Sequence, residues 1–197
     1  MKPINSILLL EQLEADTRQL ILSINYLLQE DPGNLLQQPA EGSWSAAQAI
    51  EHLNSYGRYY LPAIEKKLNS SVYPANSFYK PGWLGNYFTR IMMPKEGQVT
   101  NKMKTPKGYR PPMDIDSKKV LDDFLAQEKL LLELLERAKQ KDIGKIRIPV
   151  SLTPLIRLKL GDTFRFLVAH HQRHMLQALK ALKTVTTKTG VFTSAIA

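Results

Sequence analysis

Four stretches of roughly twenty residues repeat their apolar positions every three or four residues, the period of helices that bury one side. The links between them are short except for one long crossing over residues 69–112. With 197 residues, 43% of them hydrophobic and 23% charged, there is chain enough for one sizeable core. The expected fold is therefore all-α, a four-helix bundle with a long, partly helical crossover between its second and third helices. Residues 1–183 are expected to form that one domain. Residues 184–197, small and polar with no period, are expected to be a tail that frays or docks through Val191 and Phe192.

The first helix is expected over 4–30, where Ile7, Leu10, Leu13, Leu20, Ile24 and Leu27 return to one face. Asp31-Pro32-Gly33 ends it, because proline cannot continue the hydrogen-bond ladder and glycine tolerates a left-handed turn. A link then runs to about Trp44. Ser45 reads as an N-cap, with Gln48 completing a capping box, so the second helix starts there. Ala49, His52, Leu53, Tyr56 and Tyr60 place His52 on or beside its inward stripe, and Pro62 is expected to kink or end the helix.

The crossing 69–112 carries six prolines, and only 83–93 within it has helical spacing, through Trp83, Leu84, Tyr87, Phe88, Ile91 and Met92. A loop of this length either packs over the bundle or covers a site. Asp116 caps a third helix running to about Lys141. Residues 146–150 alternate weakly as a short extended piece. Thr153-Pro154 then opens a short helix that Gly161 closes, and Asp162 caps the fourth long helix, 163–183.

Composition narrows the chemistry. The apolar run near the N-terminus soon meets Glu11 and Glu14, too short for a signal or a membrane span, and a cytoplasmic, non-membrane protein is expected. Having no cysteine excludes disulfides, thiolate metal ligands and a protein thiol nucleophile. The net charge of +9 divides as −3 over 1–79, +6 over 80–112 and +6 over 113–197. The middle segment is the anomaly, with seven cations against Glu96 alone. Such a patch either draws in an anionic substrate or is a solvated loop; with no nucleic-acid motif beside it, a nucleic-acid partner is not expected.

Three of the four histidines, His170, His171 and His174, fall in one helical stretch, and the fourth is His52. Four-helix bundles build metal sites from inward side chains on facing helices, and the fold joins these two segments. His170 and His174, four apart, can converge on one ion; His171 and His174, three apart, do nearly as well. The helical wheel makes His171 the most buried, beside Phe164, Val168, Met175 and Ala178, and puts His170 and His174 on the flank with Thr163, Gln177 and Ala181. A solitary histidine on an apolar face is more often a hydrogen-bonded core residue than a ligand, and periodicity alone leaves the pair open. A three-histidine site would suit zinc, nickel or iron and keep coordination positions free. Glu51 adjoins His52 but points about 100° away, which leaves Gln48 and Gln177 as the polar neighbours to consider.

At these residues the chain resembles the DinB-like superfamily of bacterial metal-binding four-helix bundles. Trp44-Ser45 followed by Glu51-His52-Leu53, the stretch from Ile148-Pro149 to Leu152-Thr153-Pro154, and His170-x-x-x-His174-x-x-Gln177 carry the resemblance, within a helix order covering nearly the whole chain. It implies that His52, His170 and His174 bind one divalent metal, leaving His171 as a structural neighbour. It further implies a small-molecule substrate and dimerisation through bundle faces. The implied activities are transfer of a low-molecular-weight thiol such as bacillithiol or mycothiol onto an electrophile, thiol-dependent isomerisation, or hydrolysis. A thiol brought in as cosubstrate agrees with a chain that has no cysteine. The basic segment departs from the family pattern, and Lys102, Lys104, Lys107 and Arg110 are its candidates for holding an anionic cosubstrate. The alternative is a metal-binding or stress-associated interaction protein without chemistry.

Overall fold

The computed structural model describes residues 1–95, 97–99 and 103–194; the side chains of residues 154 and 189–194 lie outside that description. The protein is mostly helical, with two small two-stranded antiparallel sheets. Four long helices form the frame: α1 (Ser6–Leu27), α3 (Ala46–Asn69), α5 (Ser117–Ala138) and α6 (Leu160–Ser194). Helices α1 and α3 each pack against both α5 and α6. Among the described residues no helix is long and apolar enough to cross a membrane.

The helix starts follow from side-chain caps. Asn5 accepts from Leu8 N at α1, and Asp116 accepts from Lys119 N at α5. Both halves of the capping box at α3 are present: Gln48 N donates to Ser45 Oγ and Ser45 N to Gln48 Oε1. Pro62 lies inside α3 without ending it. Asp31 does more than mark the end of α1. Its carboxylate accepts from Gly33 N and Asn34 N and starts a short helix α2 (Pro32–Leu36), with proline in the first turn, where its missing N–H costs nothing.

Four expectations from the sequence are corrected. Thr153-Pro154 opens a strand, not a helix: β3 (Arg147–Val150) and β4 (Thr153–Lys159) form a hairpin with Ile148 opposite Leu158. Both of those side chains are buried, at 0% and 4% exposure, so a period-two apolar face decides the structure. Gly161 closes nothing, since α6 begins at Leu160. Asp162 is therefore in the first turn of α6 and not its cap; its buried carboxylate accepts from the Tyr79 hydroxyl and from Gly82 N. That clamp ties the crossing segment to α6 through β2 (Phe78–Tyr79), which pairs with β1 (Ile4–Asn5), and α4 (Trp83–Met92). Helix α6 also runs on to Ser194 instead of ending near Lys183; the suggested docking of Val191 and Phe192 lies outside the described side chains.

The long crossing packs over the frame. Phe88, Met92 and Tyr109 lie against the core, and Gln48 Nε2 donates to the Pro112 carbonyl. Two cores result: one around Tyr60, Leu131, Phe164 and Leu167, the other around Ile24, Leu53, Phe124 and Met175. His52, His170 and His174 sit where α3 and α6 meet.

Candidate metal centre

His52 lies about two turns beyond the cap of α3, and His170 and His174 lie one turn apart on α6. One ring nitrogen from each of these three residues falls within 4.8 Å of the others. The Nε2 atoms of His52 and His170 are 3.3 Å apart. Nitrogens bound tetrahedrally at about 2.1 Å from one ion sit about 3.4 Å from each other, so this pair already has the right spacing.

The outer nitrogens explain which way the rings face. His52 Nδ1 is 2.7 Å from the Tyr109 carbonyl, to which it donates, and His174 Nδ1 is 2.9 Å from Gln177 Oε1. Placing the proton on Nδ1 leaves the Nε2 lone pair free to bind. His170 Nδ1 is buried with no partner among the described residues, and His170 is held instead by a parallel Phe166 ring at 5.6 Å and the edge of Tyr56 at 4.6 Å. The Trp44 ring also packs against the group, 4.9 Å from His52 and 5.9 Å from His174.

Electrostatics keep all three imidazoles neutral. Burial lowers the pKa of His52, against the opposing pull of the Tyr109 carbonyl. Burial first, then His174 and His52, push His170 well below the ordinary value. His174 falls to about 3, through burial and then the neighbouring His52. Neutral imidazole is the ligating form, and lone pairs aimed at one another are satisfied by a cation between them.

His171 faces elsewhere. It is 1% exposed, with Nδ1 2.7 Å from Oε1 of the fully buried Glu128 on α5 and the Phe124 ring at 5.4 Å. It is a core residue paired with a carboxylate. Glu51 points away to Arg58 and Asn54, and Gln48 serves the cap. Gln177 is the polar neighbour that reaches a histidine. The Tyr109 carbonyl escapes sequence reasoning because a backbone acceptor carries no residue signature.

The chain belongs to the DinB superfamily. The family profile matches residues 9–178, which spans α1 to the middle of α6 and takes in all three histidines. No curated protein and no solved structure matches the chain. Membership together with a buried three-histidine group fits a metal-binding protein.

In this DinB-superfamily chain the histidines open onto a cleft of about 1410 Å³, lined by Trp44, Tyr56, Phe88, Phe166 and Arg173 among others. Of the basic candidates, Lys104 lines the cleft, Lys107 and Arg110 are not among its lining residues, and Lys102 lies outside the described residues. The crossing segment thus both packs on the frame and walls the cleft.

Proposed function

We propose that this chain is a metal-dependent enzyme on a four-helix-bundle frame, a thiol-dependent S-transferase or a hydrolase, in which His52, His170 and His174 hold one divalent zinc, nickel or iron ion. The observation that carries the reading is the pair of outer hydrogen bonds, His52 Nδ1 to the Tyr109 carbonyl and His174 Nδ1 to Gln177, which aim neutral lone pairs at one point beside an open cleft. A bound ion supplies a Lewis acid there and lowers the pKa of a water or thiol that reaches it. Tyr109 and Gln177 hold the rings in their ligating tautomers. Trp44, Tyr56 and Phe166 pack against the histidines where the cleft reaches them and make its wall there apolar, which strengthens the electrostatics of whatever binds. With no cysteine in the chain, a thiol enters as a cosubstrate through the cleft, with the small-molecule electrophile.

Elemental analysis of protein purified without a histidine tag tests this directly. One equivalent of a divalent transition metal is expected in the parent, and none in His52→Ala or His174→Ala. A full equivalent retained by either variant would show the ligand assignment to be wrong.

A further inference from the structure

The cleft is far larger than water or a small thiol needs. Its volume of about 1410 Å³ exceeds the ~300–1,000 Å³ of ordinary ligand sites. The rings beside the histidines are apolar, Trp44 and Phe166 directly and Phe88 behind Phe166, and Met92 and Leu176 add to the apolar lining. Its charge is of one sign: the described lining includes Lys104, Arg173, Lys180 and Lys183 and no aspartate or glutamate.

The lysines are displaced from the histidines along α6. At a rise of about 1.5 Å per residue, Lys180 lies about 9 Å and Lys183 about 14 Å beyond His174 along the axis. Lys180 follows Arg173 and Gln177 on the side of the helix that lines the cleft. Both lysines are exposed, and neither ammonium group has an ion pair or hydrogen bond among the described residues. Unpaired cations at the end of a low-dielectric wall focus a field that attracts negative charge.

We infer that the site takes an amphipathic anion whose reactive end meets the histidine group, whose apolar body lies along α6, and whose carboxylate, sulfonate or phosphate end is held by Lys180 and Lys183. Lys104, from the crossing segment, adds a further cation to the same cleft. The inference deepens the proposed function and rests on it for the position of the reactive end.

The test uses the full chain loaded with cobalt(II), titrated with 8-mercaptooctane-1-sulfonate, 3-mercaptopropane-1-sulfonate and 1-octanethiol, and read by the sulfur-to-cobalt charge-transfer band. The eight-carbon sulfonate is expected to bind at least about tenfold tighter than the other two. That advantage is expected to vanish in Lys180→Glu/Lys183→Glu and to persist in Lys66→Glu/Lys67→Glu, which changes net charge equally on exposed residues at the end of α3. Equal affinities for the three thiols, or an advantage untouched by the α6 substitutions, overturns the inference. Failure to bind cobalt would count against the proposed function alone. In that case equilibrium dialysis of 1-decanesulfonate against the metal-free chain decides: binding weakened about tenfold by the α6 pair only upholds the anion end, and no difference between the two pairs removes it.

Discussion

Replacing Gln177 should move metal affinity in opposite directions depending on what replaces it. His174 donates from Nδ1 to Gln177 Oε1 at 2.9 Å, and burial keeps the ring neutral. In Gln177→Leu the metal-bound form must leave that N–H unpaired, at a cost of about 1–3 kcal/mol. The metal-free form escapes the cost, because His174 can move its proton to Nε2. The whole penalty therefore falls on binding, about 10- to 100-fold in dissociation constant, the range expected for the partner of a ligating histidine. Gln177→Glu keeps the acceptor and adds negative charge, raising imidazole basicity, and is expected to tighten binding by about tenfold. Competition with a chromophoric chelator at fixed pH measures both, and circular dichroism checks that α6 is intact. Affinities that shift in the same direction in both variants, or in neither, would refute the claim that Gln177 sets the tautomer of His174.

The metal-free protein should lose stability on acidification through its histidines. The folded-state pKa values of His52, His170 and His174 lie below the unfolded value of about 6.5, so below that pH the unfolded chain binds more protons; the stabilisation is present above 6.5 and is lost as pH falls toward about 3 for His174. Each histidine contributes up to about 1.4 kcal/mol per pH unit, so urea titrations of the parent and His174→Gln between pH 6 and 5 should differ in slope by about that amount, and equal slopes would count against a neutral His174. Glu128→Leu removes the buried partner of His171 and should cost about 3–5 kcal/mol in urea unfolding, much of it recovered by adding His171→Leu, with metal content unchanged in both. In Gly85→Ala a new methyl would collide with Cβ and Cγ of Asp162, the residue that clamps Tyr79 and Gly82; a loss of about 1–3 kcal/mol is expected by thermal unfolding, and a neutral effect would mean α4 is not tightly docked.

What could be read in the sequence follows whether a local rule had competition. The starts of α3 and α5 were legible because Ser45, Gln48 and Asp116 have one strong local use each, and the structure employs them in it. Thr153-Pro154 is ambiguous because threonine followed by proline suits a strand as well as a helix start, and what selects the strand is the pairing of Ile148 with Leu158 across the hairpin. Asp162 looked like a cap for the same reason. Its carboxylate is taken by Tyr79 and Gly82, 83 and 80 residues away, and no local pattern encodes contacts of that range.

The histidines separate burial from function more sharply. The helical wheel ranked His171 as the most inward residue, yet His170 and His171 are both 1% exposed and differ in what they face. His171 is turned toward Glu128 and Phe124 in the core between α5 and α6, where a polar ring is stable only because a carboxylate meets it. His170 and His174 lie on the flank that meets α3, and the Tyr109 carbonyl from the crossing segment reaches that junction through His52. A ligand must be shielded enough to stay neutral and still border a space that a substrate can enter. A wheel computed from one helix finds the middle of its apolar face, whereas a site that binds belongs at the edge of that face, where another helix and a loop complete it. Gln48 and Gln177 divide on the same ground: Gln48 serves the cap of α3 and is not among the cleft-lining residues, and Gln177 lines the cleft.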